Sequence, residues 1–299
     1  MRQTPSPLRY PGGKIRLANF VKYMLVQNDL VGGTYVEAYA GGAGIAWRLL
    51  FDNFVHDVYI NDINRSVHSF WHSVFNHTEE LCRLIQDTPI TMDEWHRQKA
   101  RQSAQDVGIL DLGFSTFFLN RTNHSGILQG GVIGGKNQAG NYKLDARYNQ
   151  IDLIVKIQKI ASYQDRVRLY RQDALEFINN VIPTLPLRTL IYLDPPYYQK
   201  GAALYESHYS HDDHVAVATA LQNIAHKWIV SYDNTPKIRE IYAHYRNNVY
   251  ELPYNAAERY NGQEIIFFSG DLNIYTDNPL LIKQPKLIHQ VAEQLVFYE

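Results

Sequence analysis

The chain has 299 residues, 45% of them hydrophobic, so it is long enough to bury a full core in one large domain or two modest ones. Its formal net charge of −1 lacks the excess of basic residues that is typical of nucleic-acid-binding proteins. The single cysteine, Cys82, excludes an internal disulfide and a cysteine-based zinc cluster. Because no apolar run approaches membrane-spanning length and residues 1–13 lack a signal peptide's hydrophobic segment, we expect a soluble, cytoplasmic protein with no membrane partner.

A glycine pair, Gly12-Gly13, precedes Lys14 and a predicted helix over residues 15–25. Glycines at this position let the backbone come close to a ligand, and Lys14 could reach a carboxylate. A Gly-Gly-Lys sequence is more often an ordinary turn, so this segment alone assigns no function.

The next segment, 34–44, predicts a strand that ends at Glu37 and runs into a glycine-rich turn, and a helix is predicted over 45–50. Glycine at a first βα turn lets a nucleoside cofactor approach the backbone where a side chain would clash. After a second strand, 58–60, comes Asp62, at the spacing from the turn where an acid conventionally binds ribose hydroxyls. Glu37 is a further candidate contact, or it caps the neighbouring helix. The predicted contacts of the turn are Ala40, Gly41, Gly42 and Gly44.

From residue 65 to 162 the alternation of strands and helices stops. Apolar spacing predicts short helices over 68–75, 79–85, 92–103, 110–119 and 151–163, with a polar, glycine-rich stretch at 126–149. We interpret this block as an insertion into an α/β domain, with the polar stretch forming a hairpin or a mobile loop. Its basic side chains suit phosphate contacts, whereas a solvated loop without a partner is the alternative.

The α/β alternation resumes with a predicted strand, 167–172, that ends at Asp173 before a helix over 174–182. Asp173 could accept a hydrogen bond from the amino group of a bound adenine nucleoside. Capping of the helix explains the residue equally well, and the two roles are compatible.

A short apolar run, 190–193, stops at Asp194-Pro195-Pro196-Tyr197. The run predicts a buried strand, and proline forces the chain out of the sheet, which places Asp194 at a strand's carboxyl end, where α/β sheets bind ligands. The Asp194 carboxylate and the freed Pro195 carbonyl could hold the hydrogens of a planar amino group such as that of adenine, so that its nitrogen becomes a nucleophile. We expect the ring of Tyr197 to stack against the base.

The remaining chain predicts a polar lid over 199–210, a helix over 211–225, a strand over 227–231 and a helix over 237–245. Two closing strands, 248–253 and 264–269, are expected to join through the turn signal Asn261-Gly262. Their connecting loop carries Arg259. A tail follows from residue 271, with a predicted helix over 287–297.

The motif at 194–197, together with the other motifs in the same order over roughly residues 7–270, resembles the Dam-type DNA adenine-N6 methyltransferases. The resemblance implies a Rossmann-like, S-adenosylmethionine-binding α/β sheet with an antiparallel closing hairpin. It also implies an inserted, mainly helical DNA-recognition domain with a β-hairpin. The predicted boundaries are 1–65 and 160–275 for the catalytic domain, 66–159 for the insertion and 276–299 for the tail.

The resemblance also implies site residues. It assigns Tyr10 and Lys14 to cofactor contact, and the segment 119–126 resembles the LNRxxxxG element of these enzymes. Thr122 departs from the family pattern, which has an aromatic residue there, so the side chain that fills the gap of a flipped base is open. The predicted DNA-binding residues are Asn120, Arg121, Asn123, Ser125, Lys136, Lys143, Arg147 and Arg259.

The predicted reaction is methylation of N6 of an adenine rotated out of a short duplex DNA target, with no metal and no covalent nucleophile. Asp194 is not expected to act as a strong base, because the proton leaves after transfer. The alternatives are methylation of another amino group, in RNA adenine, cytosine or a protein glutamine, and an inactive DNA-binding homologue. A cognate restriction endonuclease is a candidate partner, and the sequence assigns no oligomeric state.

Overall fold

The computed structural model describes residues 4–9, 14–199, 209–255 and 259–274, with the backbone alone at 252–255 and 259–262. The contacts divide the chain into two compact units. Of the described residues, the sheet unit comprises those within 14–63 and 166–274, and the helical unit comprises 4–9 and 64–165. The first segment was predicted to belong with the sheet, whereas the contacts of its described residues group it with the helices.

The sheet unit is built on seven strands within the described ranges. They are β1 Gly33–Glu37, β2 Val55–Asn61, β3 Val167–Tyr170, β4 Thr189–Leu193, β5 Lys227–Asp233, β6 Arg246–Asn255 and β7 Arg259–Phe268. Their order in the sheet is β3-β2-β1-β4-β5-β7-β6. The neighbours from β3 to β5 pair in parallel, and β7 runs antiparallel to both β5 and β6. The predicted α/β sheet with an antiparallel closing hairpin is therefore confirmed.

Ten α-helices lie in the described ranges. They are α1 Ala18–Gln27, α2 Gly44–Phe51, α3 Arg65–Asn76, α4 Thr78–Asp87, α5 Met92–Ser103, α6 Ile109–Thr122, α7 Gln150–Ala161, α8 Ala174–Asn180, α9 His211–Gln222 and α10 Pro236–Ile241. None of them has both the length and the apolar character that a membrane crossing requires.

The central strand β4 is buried along its whole length, which explains why its sequence is a continuous apolar run. Ile191 and Leu193 pack in one core with residues of the flanking strands β1 and β5, among them Val36 and Val230. This core fixes the carboxyl ends of the parallel strands at one edge of the sheet, and Asp194 follows β4 at that edge.

The closing hairpin departs from its prediction. Asn261 and Gly262 do not form the turn; they lie within β7, paired with Pro253 and Leu252 of β6. The two strands pair as far as Asn255 and Arg259, so the connection lies at residues 256–258, outside the described part of the chain. Cross-strand pairing thus overrides the local turn preference of Asn-Gly.

The helical unit contains α3 to α7. Three of these helices begin at residues whose side chains accept backbone N–H bonds, namely Asn64 before α3, Thr91 before α5 and Asn149 before α7. Helices α3 and α6 pack through buried aromatic side chains, with the rings of Phe70 and Phe117 stacked at a centroid distance of 6.0 Å.

The stretch 126–149 forms successive turns, and the predicted β-hairpin is wrong for these residues. Its one recorded β-bridge joins Asn123 to Val132. The side chain of Gln138 bonds the carbonyls of Ile133 and Gly135, both at 2.8 Å, and Leu144 packs inward as a buried anchor. A side chain that satisfies backbone groups in this way replaces the strand pairing that a hairpin would need.

Candidate functional site

The segment after β4 leaves the sheet at Asp194 and is held by a second strand end. Pro195 and Pro196 offer no N–H, and the backbone N–H groups of Tyr198 and Gln199 follow one residue further on. Both donate to the carboxylate of Asp233, the last residue of β5, at 2.9 and 3.1 Å. The carboxyl end of β5 therefore fixes the path of the chain that follows Asp194.

Lys14 lies against Asp194, although 180 residues separate them in the chain. Its Nζ atom is 2.9 Å from Asp194 Oδ1 and 3.4 Å from Glu264 Oε1, and it donates a 3.0 Å hydrogen bond to the hydroxyl of Tyr197. The side chain of Lys14 is 2% exposed. Its ammonium group is thus held by two carboxylates and one hydroxyl away from bulk water.

Glu264, in β7, completes this arrangement, which we call the Lys14 cluster: Lys14, Asp194, Tyr197, Tyr250 and Glu264. The hydroxyl of Tyr197 donates to Glu264 Oε1 and that of Tyr250 donates to Glu264 Oε2, each at 2.6 Å. Glu264 is fully buried. The cluster joins the start of the sheet unit, the segment after β4 and the closing hairpin.

The contacts of Asp194 leave one of its oxygens available. Ser231 donates to Oδ1 at 3.0 Å, and this is also the oxygen that pairs with Lys14. Among the described residues, both recorded contacts therefore fall on Oδ1, and the side chain remains 23% exposed. Oδ2 is the acceptor that a ligand can use.

Burial and charge act in opposite directions on this pair. Burial raises the pKa of Asp194 above its ordinary value; Lys14 counteracts that shift and Glu264 adds to it. Burial alone would lower the pKa of Lys14, but the charges of Asp194, Tyr197 and Glu264 raise it well above its ordinary value. Lys14 is therefore charged at neutral pH, and the cluster contains two acids for one base.

The predicted glycine turn and Asp62 come together at the ends of β1 and β2. The N–H of Gly41 donates to Asp62 Oδ2 at 2.8 Å, and Gly41 and Ala43 have φ of +47° and +48°. Ala40 donates to the carbonyl of Asn61 at 2.9 Å. The turn thus lies at the carboxyl ends of β1 and β2. The sequence predicted a cofactor at this turn. Gly42 and Gly44 belong to the same turn, and Gly44 begins α2.

Glu37 and Asp173 each accept a backbone N–H at the start of a helix, which was the predicted alternative to cofactor contact. Glu37 is buried, and its Oε1 accepts the N–H of Ala46 in the first turn of α2 at 2.8 Å. Burial raises the pKa of Glu37 to about 8. Asp173 caps α8 by accepting the N–H of Leu175, also at 2.8 Å. Contact of either acid with a cofactor stays a prediction.

The two asparagines predicted to bind DNA are instead buried in the helical unit. Asn120 accepts the N–H of Arg9 and donates to its carbonyl, both at 2.7 Å, and also donates to the carbonyl of Gly126 at 2.9 Å. Asn123 accepts from Trp95 Nε1 at 2.7 Å and donates to the carbonyls of two loop residues. Their amide groups have internal partners, so both residues shape the loop from inside rather than face a ligand.

Gly126 is the position in this motif where only glycine fits. Its φ is +79°, and a Cβ there would lie 2.2 Å from the carbonyl oxygen of Arg9. Thr122, at the position where the resemblance implies an aromatic residue, is fully buried and donates to the carbonyl of Phe118 at 2.8 Å. Thr122 is therefore not positioned to enter DNA.

Arg9, Arg121 and Arg147 form a cluster in the helical unit. Burial lowers the pKa of Arg9, and the charge of Arg147 lowers it further. Burial also lowers the pKa of Arg121 to about 10, with the charge of Arg9 as the next cause. Arg121 Nε donates to the carbonyl of Arg147 at 2.7 Å. Guanidinium groups stay charged at neutral pH, so like charges are concentrated here.

An open cavity of about 330 Å³ adjoins this cluster. Arg9 and Arg147 line it, together with His124, Ser125 and Tyr142. Ser125, Lys136, Lys143 and Arg147 are exposed, as their predicted contact with DNA requires. Tyr10 and the side chain of Arg259 lie outside the described residues, as do most of the predicted lid and the tail helix.

Several site residues were missed at the level of sequence: Arg9, Ser231, Asp233, Tyr250 and Glu264. One signal was available for Glu264, since a lone acid heads the apolar run Ile265–Phe268 and a buried acid in a strand needs a partner. No comparable signal marked Arg9, whose place depends on contacts with Asn120, more than a hundred positions away in the chain.

Comparison with known proteins adds independent information. The model of the family described as D12 class N6 adenine-specific DNA methyltransferase matches residues 10–257. A search of curated proteins found no match.

Solved structures that match the chain include a provisionally assigned RNA methyltransferase from Pyrococcus horikoshii, with 8% identity over 87% of this chain and 84% of that one and a TM-score of 0.42. A provisionally assigned methyltransferase, yhhF from Escherichia coli, matches with 9% identity over 87% and 90% and a TM-score of 0.36. The methyltransferase domain of bacterial CtHen1 matches with 10% identity over 84% and 96% and a TM-score of 0.35.

Proposed function

The chain belongs to the D12 class of N6 adenine-specific DNA methyltransferases, and on that premise we propose how its residues carry out the reaction. Members of this family are enzymes that methylate N6 of adenine in DNA, and this chain is one of them. Its proposed methyl donor is S-adenosylmethionine. The proposal concerns the residues that bind the cofactor, hold the adenine amino group and contact DNA.

The proposed cofactor site is the glycine turn with its neighbouring acids. The positive φ at Gly41 and the 2.8 Å bond to Asp62 give a close-fitting backbone turn beside a carboxylate, which suits a ribose and its hydroxyls. The nearby acids, Glu37, Asp173 and Asp194, suit a cation. When bound, S-adenosylmethionine supplies a methyl group on a positively charged sulfur, which keeps the electron pair of the broken C–S bond. Tyr10 and Lys14 remain proposed cofactor contacts on the family resemblance.

The proposed acceptor site is Asp194 with the carbonyl of Pro195. The observation that carries this proposal is the free Oδ2 of Asp194, at the end of a buried strand and next to the charged Lys14. Oδ2 and the Pro195 carbonyl would accept the two amino hydrogens of adenine, leaving the nitrogen lone pair for the new bond. The amine then carries positive charge until it releases a proton, and the carboxylate stabilises that charge.

Two further residues of the motif remain proposals. Pro196 keeps the segment out of the sheet. Stacking of adenine on the ring of Tyr197 stays a prediction. Tyr197 is only 5% exposed, and its hydroxyl donates to Glu264.

The proposed DNA contact is the exposed basic surface of the helical unit. The arginine cluster favours an anionic partner, because a phosphate would offset the repulsion between Arg9, Arg121 and Arg147. Lys136, Lys143 and Ser125 extend the same polar stretch. We assign Asn120 and Asn123 to holding this loop rather than to contact with bases.

The proposal is tested by presenting purified protein and tritium-labelled cofactor with duplex DNA, single-stranded DNA, RNA and protein acceptors. We expect label in N6-methyladenine from duplex DNA. Asp194→Ala and Asp194→Asn should abolish transfer while cofactor affinity, measured by calorimetry, falls by less than about tenfold, because the cofactor keeps its other contacts. The matched control is Asp271→Asn, which removes an exposed acid of the same unit. Turnover of Asp194→Ala near that of the control would remove Asp194 from the mechanism.

A further inference from the structure

We infer that Glu264 is a positioning residue for methyl transfer: its buried carboxylate shares the ammonium of Lys14 and anchors Tyr197, so that Asp194 keeps an oxygen for the amine and the ionised cluster keeps one excess negative charge. The inference rests on the proposed role of Asp194 and adds a residue that neither the predicted motif nor the glycine turn contains.

The burial of Glu264 is the first argument. A fully buried carboxylate is costly unless it is paired and hydrogen-bonded. Glu264 has both kinds of partner: Lys14 at 3.4 Å, and the hydroxyls of Tyr197 and Tyr250 at 2.6 Å. All of these partners belong to the Lys14 cluster, which also contains Asp194. The groups that stabilise the buried charge of Glu264 therefore also surround Asp194.

The charge count is the second argument. If Lys14 paired with Asp194 alone, the pair would be neutral and Asp194 would be a weakened acceptor. With Glu264 as a second acid 3.4 Å from the same ammonium, the ionised cluster carries one excess negative charge. The amine gains positive charge as its new bond forms, and a fixed negative charge in a buried site stabilises that change.

The backbone position of Glu264 is the third argument. It stands opposite Asp233 in the pairing of β5 with β7, and Asp233 is the residue that holds Tyr198 and Gln199. Tyr197 is therefore fixed through its hydroxyl by Glu264, and the two residues after it are fixed through their N–H groups by the partner of Glu264. The paired residues Asp233 and Glu264 thus hold the segment that follows Asp194.

The decisive variants are Glu264→Gln, which keeps the shape and removes the charge, and Glu264→Asp, which keeps the charge and shortens the side chain. We expect Glu264→Gln to lower kcat by roughly tenfold to a hundredfold while KM for DNA and the cofactor Kd change by less than about threefold, because the charge acts on the transition state. Glu264→Asp should retain more of kcat than Glu264→Gln. Glu251→Gln, an exposed acid on the neighbouring strand β6, is the matched control.

The pH profile separates this role from a structural one. The ionisable groups that interact with Asp194 come from several elements: Lys14, Tyr35, Glu37, Tyr192 and Glu264. Tyr197 and Tyr250 act on its partner Lys14. Because the charge of Glu264 raises the pKa of Asp194, its removal should move the acidic limb of kcat/KM to lower pH. Loss of fold alone would lower the amplitude without moving the limb.

Thermal melting with and without cofactor monitors folding of each variant. If Glu264→Gln does not fold, Tyr250→Phe removes only one hydrogen bond to Glu264 and should lower kcat in the same sense by a smaller factor. The inference is overturned if Glu264→Gln keeps wild-type kcat and pH profile, or if Glu264→Asp is the more impaired variant. Failure of the wild-type protein to methylate adenine would instead overturn the proposed function itself.

Discussion

Replacing Lys14 by methionine removes the one ammonium of the Lys14 cluster and keeps an unbranched buried side chain. Asp194 and Glu264, which lie 2.9 and 3.4 Å from that ammonium, lose their common counter-charge. Removing one partner of a buried ion pair costs about 3–5 kcal/mol, and here one cation serves two acids, so at pH 8 we expect a loss of about 4 kcal/mol in the free energy of unfolding.

This loss should depend on pH, with a defined sign. The pKa of Asp194 is already raised by burial, and removal of Lys14 raises it further. An acid whose folded pKa is raised contributes stability that is fully present below its unfolded pKa and is lost as pH rises through the folded pKa. Each pKa unit corresponds to about 1.4 kcal/mol. The penalty of Lys14→Met should therefore be smaller at pH 5 than at pH 8, by about 1.4 kcal/mol for each pH unit over which Asp194 is protonated in the folded variant and ionised in the unfolded chain.

Urea denaturation at pH 5 and pH 8, followed by circular dichroism, measures both values. The control is Lys22→Met: Lys22 is also buried, but its partner Asp52 has a side chain that is 34% exposed and stays hydrated without it. The control should lose about 1 kcal/mol or less at both pH values. Equal penalties for the two variants, or a Lys14→Met penalty that does not change with pH, would refute the reasoning.

Two further outcomes are expected. Burial raises the pKa of Glu37 from 4.5 to about 8, so its contribution to the free energy of unfolding is lost as pH rises between these values. In urea denaturation, the free energy of unfolding of the wild type should therefore fall by up to about 1.4 kcal/mol per pH unit, and Glu37→Gln should remove this decline. An unchanged pH dependence in Glu37→Gln would contradict the prediction. Arg147→Ala should weaken binding evenly across DNA sequences and reduce the slope of log K against log salt by about 0.9 in fluorescence anisotropy, whereas the exposed Arg83→Ala should not; an effect confined to one sequence would contradict phosphate contact.

The parallel part of the sheet was predictable because burial on both faces leaves a direct trace in the sequence. Residues 190–193 and 227–231 were predicted as strands and lie in β4 and β5. Helix α5 begins and ends where its apolar spacing predicted, and in the structure Thr91 caps its start. Local patterns of this kind need no knowledge of the rest of the chain.

The closing hairpin and the stretch 126–149 were misjudged because their structure depends on partners that local patterns do not specify. Residues 248–263 are largely polar, so no alternation fixes their register, and Asn261-Gly262 was taken as the reversal although it pairs within β7. In 126–149 one amide side chain, Gln138, takes over backbone bonding that a hairpin would have supplied.

The motif residues show how far spacing can carry a functional assignment. Asn120 and Asn123 stand in a motif that resembles a DNA-binding element, but the spacing of a motif does not indicate which of its side chains are buried. The amide groups of both residues make hydrogen bonds inside the helical unit. Asn120 instead holds the backbone of Arg9, which lines the basic cavity, and the backbone carbonyl of Asn123 accepts from the Arg9 guanidinium. The motif can therefore serve the proposed DNA contact through Arg9, a residue that lies outside it. The same argument applies to Glu264, which no motif names and which shares the ammonium group of Lys14 with Asp194.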